Sequence, residues 1–107
     1  MKSIYKYPIG DGIIVEAPID SILDVQIQNG ELVAWATIND RQPNRKILFK
    51  IFGTGWEFPD DFEFGTYLKT VQDGPWVWHI FAVEIDAVLT VAIPVNCLTQ
   101  PAQAYMS

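Results

Sequence analysis

The sequence predicts an all-β fold: a single-domain antiparallel β-sandwich, or a small, partly open barrel, of about six to seven short strands. Three observations predict it. Gly and Pro recur at intervals that cut the chain into pieces rich in Ile, Val, Phe, Tyr, Trp and Thr; no piece sustains a helical apolar period; and an Asn-Gly pair separates two runs of alternating polarity. At 107 residues the chain can bury one core but not two. Residues 1–107 are therefore expected to form one domain, with 98–107 as a surface tail. Sandwich and barrel both limit exposed sheet edges, and the pattern leaves both open.

Residues 4–8 and 13–17 flank Gly10-Asp11-Gly12 and read as a hairpin ending at Pro18, with Pro8 marking an edge strand because it has no N–H to give to a ladder. Residues 21–28 and 31–38 flank Asn29-Gly30, a pair that tolerates the positive φ angles of a type I′ turn. Pairing Gln28 with Glu31 then sets Ile27 opposite Leu32, Val25 opposite Ala34 and Leu23 opposite Ala36 on one apolar face. Gln26 faces Val33, Asp24 faces Trp35 and Ile22 faces Thr37 on the other. A one-residue slip would mix the two faces, so the register is well specified.

Residues 45–52 alternate Ile47, Phe49 and Ile51 against Lys46, Leu48 and Lys50, giving a strand with one buried side. It breaks at Gly53-Thr54-Gly55. The next stretch, WEFPDDFEFG (56–65), mixes three Phe with four carboxylates and reads as an ordered excursion pinned by its aromatics. Strand signals resume at 66–71 and 75–85. Asp73-Gly74 invites a tight turn, but Pro75 suggests a slightly longer connection. The last of these strands is apolar on both faces, with Val77, His79, Phe81, Val83 and Ile85 on one and Trp76, Trp78, Ile80 and Ala82 on the other, which places it inside a sheet. Trp76 and Trp78 are expected to share their face with Tyr67 and Lys69. Residues 87–93 could add one more strand.

The N-terminal MKSIYKYPIG has two Lys without an apolar stretch behind them and does not read as a secretory leader. Residues 75–95 are the most apolar region, but His79, Glu84, Asp86 and Pro94 interrupt it, so buried strands are expected there rather than a transmembrane helix. A lone Cys97 suits a reducing cytoplasm.

Seven Lys and Arg stand against 13 Asp and Glu, for a net charge of −6 and a pI near 4.4. Direct nucleic-acid binding is not expected, because the cations that displace phosphate counterions are missing. One His and one Cys cannot build a disulfide or a zinc cage. The carboxylates Glu57, Asp60, Asp61 and Glu63 lack the alternating spacing of a calcium loop and read as a solvated loop, so neither metal nor cofactor is expected. His79 reads as a buried imidazole bonded to a neighbour rather than a general base. Cys97 has no His to activate it. Gly53-Thr54-Gly55 is not followed by a helical pattern or a nearby cation and reads as a structural turn.

Residues 1–56 hold six basic and six acidic side chains, whereas 57–107 hold one, Lys69, against seven. That asymmetry implies an acidic surface suited to a basic patch on a protein partner. Trp76 and Trp78 are expected in the core, while Trp35 and Trp56 stand open between core and contact surface.

The segments IYKYP (4–8), VQIQNG (25–30), IFGTG (51–55) and WVWHIF (76–81) resemble a family of short uncharacterised proteins found largely in tailed bacteriophages and prophages. The resemblance spans roughly residues 3–82. It implies a phage gene product acting in an infected bacterial cell, and attaches no activity or catalytic residue.

Together these readings predict a non-enzymatic phage accessory protein that works in the host cytoplasm by binding, and so inhibiting, a host or anti-phage defence protein with a basic patch. Trp35, Trp56, Glu57, Asp60, Asp61 and Glu63 are the expected contacts. Two alternatives stand beside it: a virion structural or assembly homo-oligomer, and a small-molecule, nucleotide-type sequestering protein that would use Arg41, Arg45 and Lys46 for phosphate. An enzyme would require His79 in an open cleft.

Overall fold

A computed structural model of the chain describes residues 1–85. They form seven strands: β1 (Lys2–Pro8), β2 (Ile14–Ala17), β3 (Ile19–Gln28), β4 (Glu31–Asn39), β5 (Arg45–Gly53), β6 (Thr66–Asp73) and β7 (Trp76–Ile85). Two antiparallel sheets result, one in the order β1-β4-β3 and the other β2-β5-β7-β6. No ladder joins the sheets among the described residues, so the fold is the sandwich rather than the barrel. The expected strand at 87–93, Cys97 and the tail at 98–107 lie outside the described residues.

The β3–β4 hairpin turns at Asn29 (φ 54°) and Gly30 (φ 81°), as a type I′ turn requires. Pairing runs as expected from Gln28–Glu31 back to Asp24–Trp35, then shifts, so that Ile22 rather than Leu23 lies opposite Ala36. Leu23 is extruded and 52% exposed. A bulge of this kind adds twist to an edge strand. Here the Asp24 carboxylate accepts the Val25 N–H at 2.9 Å and pairs with Lys69 of β6 at 3.0 Å, an anchor that alternation alone does not reveal.

The expected hairpin of residues 4–8 with 13–17 does not form. β1 pairs with β4 and β2 with β5, so Gly10-Asp11-Gly12 carries the chain from one sheet to the other. Three contacts hold the crossing: Ile9 N–H donates to the Leu32 carbonyl, Gly12 N–H donates to that of Phe49, and Asp11 accepts the Ile51 N–H. Gly12 has φ 81°, a conformation that serves a crossover as readily as a hairpin. Pro8 does lie on an edge strand.

The β6–β7 connection is shorter than expected. Asp73 pairs with Trp76 across a two-residue loop, Gly74-Pro75. Gly74 has φ 59°, which matches the first central position of a type II′ turn. Proline fits the second because that residue's N–H is not one of those closing the hairpin, and its fixed φ suits the turn. A register shift at Leu68 also moves Tyr67 opposite Phe81, so Tyr67 leaves the face expected for it while Lys69 stays opposite Ile80.

β7 lies between β5 and β6, as its two apolar faces require. The core joins Val25, Ala34, Ala36 and Ile38 of one sheet to Ile47, Phe49, Val71, Ile80 and Ala82 of the other. The small Ala pair on β4 leaves room for the fully buried Phe49 and Ile80. One end of the sandwich is clasped by Arg45, whose guanidinium donates twice to Glu84 at 2.8 Å and once to the Ile19 carbonyl of the opposite sheet at 2.9 Å. The other end carries Trp56, Trp76 and Trp78.

Candidate functional site

Strand alternation sends Phe52 of β5 and Phe81 of β7 to the outer face of the four-stranded sheet, where they would be exposed without a cover. The excursion after β5 supplies it. Phe58, Phe62 and Phe64 stand edge-on around Phe52, with ring centroids 5.1, 5.6 and 5.1 Å away, and Phe81 closes the set at 5.7 Å. Phe52 is left 5% exposed. This is a second apolar cluster outside the inter-sheet core, held by edge-to-face ring packing. Gly65, at φ 101°, returns the chain to β6 against the Ala82 carbonyl, too close for a side chain.

With the Phe rings turned inward, the four carboxylates turn out. Glu57, Asp60, Asp61 and Glu63 are all exposed, and a Phe62 N–H bond to the Pro59 carbonyl at 3.0 Å folds Asp60 and Asp61 into the loop tip. Beneath them Lys50 donates to the Glu63 carbonyl at 3.0 Å, with its ammonium 5.1 Å from the Phe62 ring centre. Burial pulls the Lys50 pKa below the usual lysine range, against the opposing pull of Asp11 and Glu63. Among the described residues no cluster of His, Cys, Asp or Glu is placed to hold a metal ion.

Trp56 lies on the other side of this loop. Its indole covers Gly53, where a Cβ would sit 2.6 Å from Nε1, and stands edge-on to Trp78 with centroids 6.1 Å apart. Trp76 stacks beside Trp78 at 6.2 Å. Trp78 packs on the core as expected, but Trp76 is 62% exposed, because at the start of β7 the sandwich no longer covers it. Next to them a groove of about 410 Å³ opens between the sheets, lined by Ile9, Ile27, Glu31, Leu32, Asp73 and Trp78 among others.

The structure thus brings Trp56, Glu57, Asp60, Asp61 and Glu63 together on one loop, but not Trp35. Trp35 lies half-buried on the solvent side of the three-stranded sheet, between Lys6 and Asp24. The groove residues Ile9, Glu31 and Asp73 escape sequence reasoning because only the tertiary fold unites the β1–β2 crossing with two hairpin turns. Gly53, at the end of β5, signals the close approach of the Trp56 indole but not the groove.

His79 is half-buried on the outer sheet face. Its Nε2 is 2.7 Å from the Thr54 hydroxyl and its Nδ1 is 3.0 Å from that of Thr70, which in turn meets the Tyr67 hydroxyl at 2.8 Å. Both ring nitrogens are engaged by groups that can donate or accept, which satisfies the imidazole.

No helix among the described residues is long and apolar enough to cross a membrane. Residues 1–90 match the family described as Domain of unknown function (DUF7352), and the chain belongs to that family. No curated protein and no solved structure matches it.

Proposed function

We propose that this member of the family is a non-enzymatic binding module that docks its acidic loop and Trp56 on a basic patch of a protein partner. Joined to the phage resemblance of its sequence motifs, this makes it an accessory protein that inhibits a host or defence protein in the bacterial cytoplasm. The observation that carries the reading is the pinned loop: five Phe rings hold residues 58–64 against the sheet while four carboxylates project into solvent. A rigid charged surface loses little conformational entropy on docking and steers encounter with a cationic one.

The test is the quadruple charge reversal E57K/D60K/D61K/E63K, which leaves the Phe anchors untouched. Partner capture from bacterial lysate, quantified at low and high salt, should fall in the variant and lose its salt sensitivity. Unchanged capture and unchanged salt dependence would reject the docking surface.

A second reading, a homo-oligomeric assembly protein, has its own observation. The β1 and β2 edges lie on one side of the sandwich and expose Ile4, Tyr5, Ile13 and Ile14. An unpaired edge with apolar side chains is a template for strand addition. Light scattering of the purified protein decides it, since a closed oligomer dispersed by Ile4→Lys would favour this reading over docking.

A further inference from the structure

We propose that the groove at the tryptophan end of the sandwich seats an arginine side chain, presented on an extended segment of the protein partner. The inference rests on the docking reading and names the chemistry of one contact within it. Three features converge there. The groove's size, about 410 Å³, lies within the usual range of ligand-binding clefts. Its apolar wall, Ile9, Ile27 and Leu32, faces the Trp78 ring, with Trp76 stacked alongside at the rim. The charged residues that line it are Glu31 and Asp73, each beside a hairpin turn, and no Lys or Arg lines it.

Neither side chain makes an ion pair or a hydrogen bond among the described residues, whereas elsewhere on the protein Asp24 is paired with Lys69 and Glu84 with Arg45. The turns that carry them fix their positions, Glu31 directly after Asn29-Gly30 and Asp73 directly before Gly74-Pro75. A cation completes this set, and a planar one does so best. A guanidinium stacks on an indole face and still directs its N–H groups in the ring plane to flanking carboxylates, whereas an ammonium is a compact, strongly hydrated charge. The aliphatic stem of arginine then lies along the Ile and Leu wall.

The experiment uses the full chain and three blocked pentapeptides, acetyl-Gly-Gly-Xaa-Gly-Gly-amide, with Xaa arginine, lysine or the neutral isostere citrulline. The indole N–H resonances of the tryptophans are followed during titration. Arginine peptide should shift the Trp76 and Trp78 signals and leave Trp35 in place, with citrulline binding at least about tenfold more weakly. E31Q/D73N should weaken arginine binding by about tenfold or more, and Trp76→Ala, at an exposed position, should weaken it without unfolding the chain. No shift, or equal binding of citrulline or lysine peptide, overturns the proposal. So do groove indole shifts that depend on protein concentration without peptide, which would make a second copy the occupant. The quadruple loop reversal should bind the arginine peptide like the wild type. A failed titration, with partner capture still lost in the loop reversal, therefore rejects the groove alone, and a positive titration with capture unchanged by the loop reversal rejects the loop alone.

Discussion

Replacing Phe52 with alanine tests whether the acidic loop is held by its phenylalanines. Phe52 is 5% exposed and touches four rings with centroids 5.1 to 5.7 Å away. Removing a buried Phe side chain costs about 3–5 kcal/mol, depending on how far the site collapses. Three of the four neighbouring rings belong to a surface loop and can settle into the space, so about 3 kcal/mol is expected. Phe52→Leu keeps most of the volume and loses the edge-to-face contacts, for about 1–1.5 kcal/mol. At about 4–8 °C per kcal/mol for a domain of this size, the alanine variant should melt roughly 12–24 °C lower. Urea unfolding gives the stability, and a Glu-specific protease gives the loop's local order through cleavage after Glu57 and Glu63. Cleavage in both variants should accelerate at urea concentrations where the fold is still intact, because the loop opens before the sandwich does. A cost below about 1 kcal/mol for the alanine variant, or unchanged cleavage, would refute the pinned-loop account.

Gly65→Ala should cost about 2 kcal/mol or more in urea unfolding, because φ is 101° and the new Cβ would lie 2.7 Å from Val83 Cγ2 and 2.8 Å from the Ala82 carbonyl. Gly53→Ala introduces a Cβ 2.6 Å from Trp56 Nε1, so the indole should leave its place on Trp78 and the Trp56 N–H resonance should move, while the exposed ring's freedom keeps the stability loss at about 1 kcal/mol. Asp24 is held below the ordinary carboxylate range by hydrogen bonds from Lys69, Gln26 and the Val25 N–H, and Glu84 by those from Arg45. Both folded pKa values are depressed, so their stabilisation is complete above roughly pH 5 and is lost as pH falls through about 4 and below. Urea titrations between those limits should give a shallower acid slope for D24N/E84Q than for the wild type.

How far the sequence can be read depends on how local the deciding forces are. Asn29-Gly30 sets its own turn, and the alternation on either side sets the first pairs, because each choice involves neighbouring residues alone. The register fails at Leu23, where the bulge is stabilised by Lys69 of a strand some 45 positions away. Gly10-Asp11-Gly12 is compatible with a hairpin and with a crossover. The partners of β1 and β2 are decided by which strands lie vacant beside β4 and β5, a property of the assembled sheets. The Gly74-Pro75 turn was legible in principle, since a hairpin with Gly first can take Pro second. The loop's aromatic anchoring was visible in the Phe-carboxylate alternation of residues 57–64, but what the rings pack against was not, because Phe52 read as the end of a strand rather than the centre of a cluster.

The loop and the groove meet at one turn of chain, and strand geometry explains why. Phe52 and Gly53 are consecutive on β5 and so face opposite sides of the sheet, just as Trp78 and His79 do on β7, their register partners. The outer side receives Phe52 with the Phe cluster; the inner side receives Gly53, whose missing side chain lets the Trp56 indole lie over it beside Trp78. Between Trp56 and Phe58 the chain passes around the sheet from one side to the other, and Glu57 is the exposed residue at that passage. A basic partner held by Glu57 and the loop tip therefore reaches Trp56 before any other tryptophan of the end. An arginine seated on Trp78 and a cationic patch on the loop would contact opposite sides of the same few residues. Gly53→Ala bears on both contacts at once: by displacing Trp56 it should weaken partner capture more than it weakens the arginine pentapeptide, whose proposed seat is Trp78, Glu31 and Asp73. An equal loss in the two assays would mean that Trp56 belongs to the groove itself.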